Sequence, residues 1–403
     1  MSASIKKYSV AIIGGGFSGL CLASMLGAKL KSNLLVLEGN KRVGKKILAT
    51  GNGQGNITNK VISADYYHGD KDFASKAISR YTNTHLLDYF DKLGLLTDSI
   101  GQKIYPASFT AGSILDVLRF EIDKQGVDVK TEHYVTNVKK KDCFKIECNN
   151  GEAFFADKVV FAFGGKSGAG FLTDGKSYSL AENFGHTVTS LSPSLVQLKT
   201  EKEKIRGLKG VKQEANVSLY TDERFVASFA GDILFTDFGV SGNSIFSLSA
   251  YLKGLKNPNI KIEFLPTYLK EDLAQKLYQK CDSGFTYEQL LVSVIPTRLS
   301  LAVLKDCLLN PQDLAKKQKV EQITRSIKSF SLKVEGPCGF ESSQVTAGGI
   351  NTKEICSQTM QSKLVDGLYI IGEALNVDGD CGGYNLQWAF TTAQIAKDSI
   401  LNG

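Results

Sequence analysis

A chain of 403 residues with 42% apolar and 22% charged residues is ordinary globular material, long enough for two or three domains with full cores. Its formal charge of +7 rests on dispersed Lys: the Arg residues, at 42, 80, 119, 206, 224, 298 and 325, form no cluster, and the runs Lys139–Lys141 and Lys316–Lys317 lack interleaved aromatics, so nucleic acid is not an expected partner. Eight Cys without a Cys-x-x-Cys pair and only four His argue against a zinc site, a dithiol centre or other metal chemistry, and free thiols fit a reducing cytoplasm.

Residues 8–28 carry no charge and follow Lys6-Lys7, as a signal peptide or membrane span would, but five Gly and three Ser interrupt them. The glycines have a better explanation. The β-branched run Tyr8–Ile13 predicts a buried parallel strand; it enters Gly14-Gly15-Gly16-Phe17-Ser18-Gly19 and then an apolar helical stretch, Leu20 to Leu30. A second strand, Leu34–Leu37, ends at Glu38 and Gly39, with Glu38 nineteen residues after Gly19. Strand, G-x-G-x-x-G, helix, strand and acid in this order are the fingerprint of dinucleotide binding. Gly14 permits the tight turn, Gly16 lets a pyrophosphate approach the backbone, Gly19 lets helix and strand pack, and Glu38 accepts from ribose hydroxyls. The fingerprint alone does not separate FAD from NAD.

Next comes a glycine-rich loop, Gly44-Lys45-Lys46-Ile-Leu-Ala-Thr-Gly51-Asn-Gly53-Gln-Gly-Asn56-Ile-Thr58-Asn59, with glycines for close approach and Asn and Thr for hydrogen bonds. Residues 127–163 alternate as a small β-meander, with runs at Val127–Thr131, Tyr134–Lys139, Phe144–Glu147 and Ala153–Phe155. The strand Val159–Phe163 runs into Gly164-Gly165. Strand-like runs at Ala215–Tyr220 and Phe225–Phe229 give way to a Lys-rich helical stretch from Leu269 to Ile327, broken at Pro296 and Pro311. A final strand, Leu368–Ile371, leads to Gly372-Glu373, with Asp378 five residues on. Gly382-Gly383-Tyr384-Asn385 then opens a last helix that carries Leu386, Ala389, Ala393 and Ile395 inward. Its N-terminus would set N–H groups and positive dipole where reduction places negative charge.

These blocks resemble a family of bacterial flavoproteins of aminoacetone-oxidase-like and bile-acid-reductase-like (YhiN/BaiN) type. The likeness is carried by Gly44–Asn59, Gly164-Gly165-Lys-Ser167, Leu234–Gly242, Val345-Thr-Ala-Gly348-Gly-Ile350 and Gly367–Ala389, in family order along nearly the whole chain. Gln54-Gly55 departs from the family's Arg-Cys, Asp237 from its His, and Gln102–Pro106 from its Gly-Arg-Val-Phe-Pro. The resemblance implies FAD as cofactor, held by Gly14, Gly15, Gly16, Phe17, Ser18, Gly19, Glu38, Gly39, Lys45, Lys46, Gly51, Gly53, Asn56, Gly164, Gly165, Gly348, Gly372, Glu373, Asp378, Gly383, Asn385 and Leu386, with the backbone of Val135 at the adenine edge. On family position alone, Tyr105, His186, Asp237 and Tyr384 are the candidates for acid–base work.

The expected fold is α/β: a Rossmann-like FAD-binding domain with a β-meander crossover (1–190 and 345–403), an inserted β-rich substrate domain (191–265 and 328–344) and a helical cap (266–327). The expected activity is an FAD-dependent oxidoreductase moving a hydride between flavin and a small organic substrate, by enone reduction or by amine or amino-ketone oxidation, with NADH or NADPH as a transient donor. A nucleic-acid-modifying flavoprotein and a non-catalytic flavin-binding protein are the alternatives. A soluble, cytoplasmic protein with no membrane partner is expected.

Overall fold

The strand Lys7–Ile13 is buried at Val10, Ala11, Ile12 and Ile13 because it runs down the middle of a seven-stranded sheet. Leu34–Leu37 pairs parallel on one side of it, followed at the edge by Asp128–Lys130. The nine-residue strand Ala153–Phe161 pairs parallel on its other side. That long strand changes neighbours along its length. Its first half pairs antiparallel with Phe144–Cys148, which leads out to Val135–Lys140, and its second half pairs parallel with Leu368–Ile370. The meander expected over 127–163 therefore begins only at Val135; the run at Val127–Thr131 instead extends the parallel sheet, its Val129 opposite Val36. A computed structural model describes residues 6–402 of the chain.

The carboxyl ends of the parallel strands are aligned. Gly14 N donates to Leu37 O at 2.8 Å, Ala162 N to Ile13 O at 2.9 Å and Ile371 N to Phe161 O at 3.0 Å. In open parallel sheets, ligands bind in the crevice beyond such ends. Helix Phe17–Leu30 follows the glycine turn and packs against the last helix, Tyr384–Asn402. Each fully buried Leu or Ile there contributes about 1.5–3 kcal/mol relative to exposure.

The chain forms two compact units, Met1–Pro193 with Gln344–Gly403, and Ser194–Ser343. Within the first unit, Val188 and Ile350 form an antiparallel bridge, and Thr189 N donates to Gly349 O at 2.9 Å, just outside the two points where the second unit is inserted. The second unit is a closed barrel of six strands in the order Leu198–Thr200, Gly239–Ser241, Arg224–Phe235, Lys212–Thr221, Pro258–Phe264 and Phe330–Pro337, all paired antiparallel. Period-two alternation points Val217, Leu219, Ile260, Ile262 and Leu332 inward. Helices Lys270–Cys281, Tyr287–Leu291, Thr297–Asp306 and Lys317–Lys328 bury Leu277, Leu290, Leu299, Val303, Ile323 and Ile327 in the same cluster as the barrel. The helical stretch thus has no core of its own: its apolar faces close the barrel's core.

Candidate functional site

The glycines of the first turn are not equivalent. A Cβ on Gly14 would fall 2.4 Å from Ala162 O, and Gly14 holds φ +110°, in the region that favours glycine. One on Gly19 would fall 2.0 Å from Gly14 O, so helix and strand touch there through bare backbone. At Gly15 it would meet Val43 Cγ1 at 2.8 Å. At Gly16 it would meet nothing within 4 Å. The turn is sealed against protein on three glycines and open at the fourth, where the helix begins and its first N–H groups lie unsatisfied by the helix itself. An anionic pyrophosphate fits that opening, with room at Gly16 and positive dipole behind it.

Glu38 sits at the edge of the opening. Its Oε2 accepts from Gly15 N at 2.9 Å, and its Oε1 accepts from the backbone N and side-chain Nδ2 of Asn40, each at 2.8 Å. Asn40 Nδ2 also donates to Phe171 O. The segment from Lys130 to Val135 runs past this acid: Glu38 N donates to Lys130 O and His133 N to Glu38 O, both at 2.9 Å, and a Cβ on Gly39 would touch Tyr134 at 2.9 Å. Val135 opens the outermost strand of the sheet beside this corner.

On the far side of the turn, Gly164-Gly165, Thr346, Gly372-Glu373 and Lys46 converge. A Cβ on Gly165 would lie 2.5 Å from Thr346 Oγ1 and 2.6 Å from Glu373 Oε1. Lys46 Nζ donates to Glu373 Oε2 at 2.7 Å, a half-buried ion pair, while Glu373 Oε1 accepts from Thr346 N at 3.1 Å. Thr346 Oγ1 takes the N–H groups of Lys166 and Ser167 at 2.7 and 2.9 Å. Gly372 abuts Ser18, and its backbone is held by Thr392 and Trp388 of the last helix. Lys45 turns instead to the surface and donates to Gly170 O.

The start of the last helix forms a third wall. Gly383 lies so close to Thr58 that a Cβ would be 2.5 Å from its carbonyl. Asn59 Nδ2 donates to Gly382 O, Asn56 Nδ2 to Thr58 O and Ile104 O, and Asn385 clasps Gly379 with two 2.8 Å bonds. Buried Asp378 lies in the strand Val377–Gly379, opposite His68 of Tyr67–Gly69. His68 Nε2 and Asp380 Oδ1 lie 2.6 Å apart. Two buried phenols flank this segment. Tyr384 stacks on Tyr66 at 4.6 Å; burial, the Tyr66 phenol and the Asp380 charge push its pKa up. Tyr105, on the strand Lys103–Pro106, is pushed up by burial and by Cys381. Both stay protonated across the physiological range and can donate.

Two of the residues expected to do acid–base work lie elsewhere. His186 is sealed, its Nδ1 3.0 Å from Glu354 Oε2 and its Nε2 2.8 Å from Ser362 Oγ, so both ring nitrogens serve the fold. Asp237 is exposed on the second unit, paired with Lys209. Gly51 and Gly53 take positive φ in the kinked turn Ile47–Gly53, Gly348 packs under Ser190, and Leu386 is half-buried in the first unit's core. Asn40, Thr346, His68 and Asp380 join the site without having been expected there. Asn40 follows the acid by two residues, a readable signal; the others are joined only by the fold. None of the eight cysteines is in a disulfide. Among the described residues, no cluster of three or more His, Cys, Asp or Glu is placed to hold a metal ion, and no helix is long and apolar enough to cross a membrane.

Parallel strands with this turn and these acids at their carboxyl ends define a dinucleotide-binding domain, and together with the relatives described next they define an FAD-dependent oxidoreductase. The chain belongs to the family described as HI0933-like protein Rossmann domain, whose model matches residues 8–399. It is 35% identical to the 3-dehydro-bile acid delta(4,6)-reductase of Clostridium scindens, with 96% of this chain and 97% of that one covered. It is 30% identical to the ribosomal RNA dihydrouridine synthase of Haemophilus influenzae, at 96% and 97% coverage. In fold it is similar to the 3-ketosteroid-delta4-(5alpha)-dehydrogenase of Rhodococcus jostii RHA1, with a TM-score of 0.50, 13% identity, and 99% and 98% of the two chains covered.

Proposed function

We propose that this chain is a reductase that saturates a carbon–carbon double bond conjugated to a carbonyl group. The observation that carries the reading is the pairing of a turn open only at Gly16 with two buried, protonated phenols, Tyr105 and Tyr384, around the segment Asp380–Tyr384. When bound, FAD supplies the two-electron chemistry. The chain's own residues do the rest. Gly16 and the helix behind it receive the pyrophosphate, Glu38 and Asn40 the adenosine ribose, and Glu373 with Lys46 the middle of the cofactor. Val135 offers its backbone to the adenine. Tyr105 or Tyr384 hydrogen-bonds the substrate carbonyl, which makes the β-carbon electrophilic, and the helix N-terminus at Gly383 stabilises developing negative charge.

Two relatives support the substrate class. Their names describe different molecules, a 3-oxo bile acid and a uracil base, but one reaction: saturation of a double bond conjugated to a carbonyl. A small-molecule enone is the substrate proposed first, since the chain's cationic residues are scattered Lys rather than clustered Arg. The second reading, a uracil in ribosomal RNA, is favoured by the Haemophilus influenzae relative. NADH or NADPH is the proposed donor, docking transiently.

The test is an anaerobic titration with NADH and NADPH, followed by flavin absorbance, and then addition of 4-androstene-3,17-dione or of deproteinised ribosomal RNA. Reoxidation by the steroid supports the first reading, and reoxidation by RNA alone supports the second. A flavin that neither reoxidises but oxygen and an amino ketone turn over would make the chain an oxidase and sink both.

A further inference from the structure

Tyr178 opens the short helix Tyr178–Glu182 and is 3% exposed, yet its hydroxyl has no hydrogen-bond partner among the described residues. A buried hydroxyl left unpaired costs stability, so an orphan of this kind points to a group that the protein alone does not supply. Its surroundings say which. The Tyr178 ring meets Phe163 edge-on at 5.7 Å, which sets it beside Gly164-Gly165. There the missing side chain of Gly165 leaves backbone next to Thr346 Oγ1 and Glu373 Oε1. Burial first, and then the charge of Glu373, push the Tyr178 phenol up, so it remains a donor. Glu373 is already engaged by Lys46 and by Thr346 N, and these fix the direction of its carboxylate.

A carboxylate and a phenol that both lie beside the segment Phe163–Gly165 select for a ligand group that donates and accepts at once. A hydroxyl does both: it gives its proton to Glu373 and takes one from Tyr178. A phosphate oxygen only accepts, and would face the Glu373 charge. We infer that Tyr178 donates a hydrogen bond to a hydroxyl of the ribityl chain of FAD, the same hydroxyl that donates to Glu373. The assignment rests on the FAD reading above and adds to it a tyrosine outside the recognised motifs.

The experiment uses Tyr178→Phe, which removes the hydroxyl and keeps the ring. FAD and ADP dissociation constants are measured by fluorescence and calorimetry on full-length protein stripped of cofactor, together with the melting temperature of the stripped protein. Loss of one hydrogen bond in a buried site predicts FAD binding weaker by roughly tenfold. ADP, which lacks the ribityl chain, should bind both proteins alike, and the stripped variant should melt no lower than the wild type. Equal FAD affinity in the two proteins would overturn the inference. So would an equal loss for ADP, or a lower melting temperature in the stripped variant, since either would give the hydroxyl a different partner. A wild-type protein that fails to bind FAD would instead strike the cofactor reading itself.

Discussion

Thr58 Oγ1 donates a 2.7 Å hydrogen bond to Gln387 Oε1, joining two fully buried side chains 329 residues apart. Gln387 spends its amide on Tyr81 O and Thr391 Oγ1. The glycine-rich loop and the last helix are thereby fixed to one another where Gly383 touches Thr58. Thr58→Val keeps the shape and leaves Gln387 Oε1 buried without a donor, a loss of about 1–3 kcal/mol. Urea denaturation of cofactor-free protein measures it, and an unchanged midpoint would show that another donor reaches Gln387.

Gly16 and Gly19 should respond in opposite ways. Gly16→Val places its side chain in open space, so the variant should fold with near-wild-type stability and purify colourless, because that space belongs to the pyrophosphate. Gly19→Ala drives a methyl to 2.0 Å from Gly14 O and should lower the melting temperature of the stripped protein. Yellow Gly16→Val protein at full stoichiometry would refute the assignment of the turn.

Glu38→Ala removes a charged acceptor worth about 1.5–3 kcal/mol, so FAD should bind one to two decades more weakly. The same change strands Gly15 N and Asn40, so the stripped protein should be less stable as well. Isothermal titration with an unchanged dissociation constant would assign the ribose to another residue.

The kinetics should be ping-pong. The second unit is an antiparallel barrel closed by helices, with no parallel strand pair among its described residues to build a second dinucleotide fold. If the chain is the reductase proposed above, the nicotinamide must dock over the flavin from the substrate side and leave before the substrate enters. Parallel double-reciprocal lines are expected; intersecting lines would require both ligands to bind together.

The pair His186 and Glu354 should stabilise the fold near neutrality and make that stability acid-sensitive. Burial alone would raise the Glu354 carboxyl, but the hydrogen bonds of Thr187 and the His186 ring outweigh it and hold the pKa below the usual Glu value. A group depressed in the folded state stabilises above its unfolded pKa, and the contribution fades as pH falls through the folded value. The urea midpoints of wild type and Glu354→Gln should therefore differ most near neutrality and converge below about pH 4. A gap that stays constant to pH 3 would contradict this.

Local order made much of the first unit legible. The turn at Gly14–Gly19, Leu34–Leu37 and Glu38 could be read because each glycine and the acid serve neighbours fixed by a single strand–helix–strand unit. Family order added Gly165, Glu373 and Gly383. What escaped depends on long-range pairing. Val129 reads like any short apolar alternation, and only its place opposite Val36 takes it out of the meander. Pro296 and Pro311 marked breaks in the helical stretch, but the interruption between Cys281 and Tyr287 turns on Gly284 at φ +71°. Position in a motif block pointed to His186 as a base; its two ring partners, Glu354 and Ser362, lie more than 160 residues away and make it a strut. Nothing local distinguishes Tyr178 from the chain's other tyrosines.

The bridge between Val188 and Ile350 has a consequence for the chain's polymer physics. Those two residues bracket about 160 residues, and holding them together closes a loop of that length in every folded molecule. The entropy of closure grows with the logarithm of loop length, so while the barrel is still unfolded a linker of about four residues in its place lowers the closure cost by about 3 kcal/mol. Excision therefore relieves the FAD-binding unit of a topological load. The shortened chain, with one core and no barrel to close, should refold faster than the parent and still turn yellow with FAD.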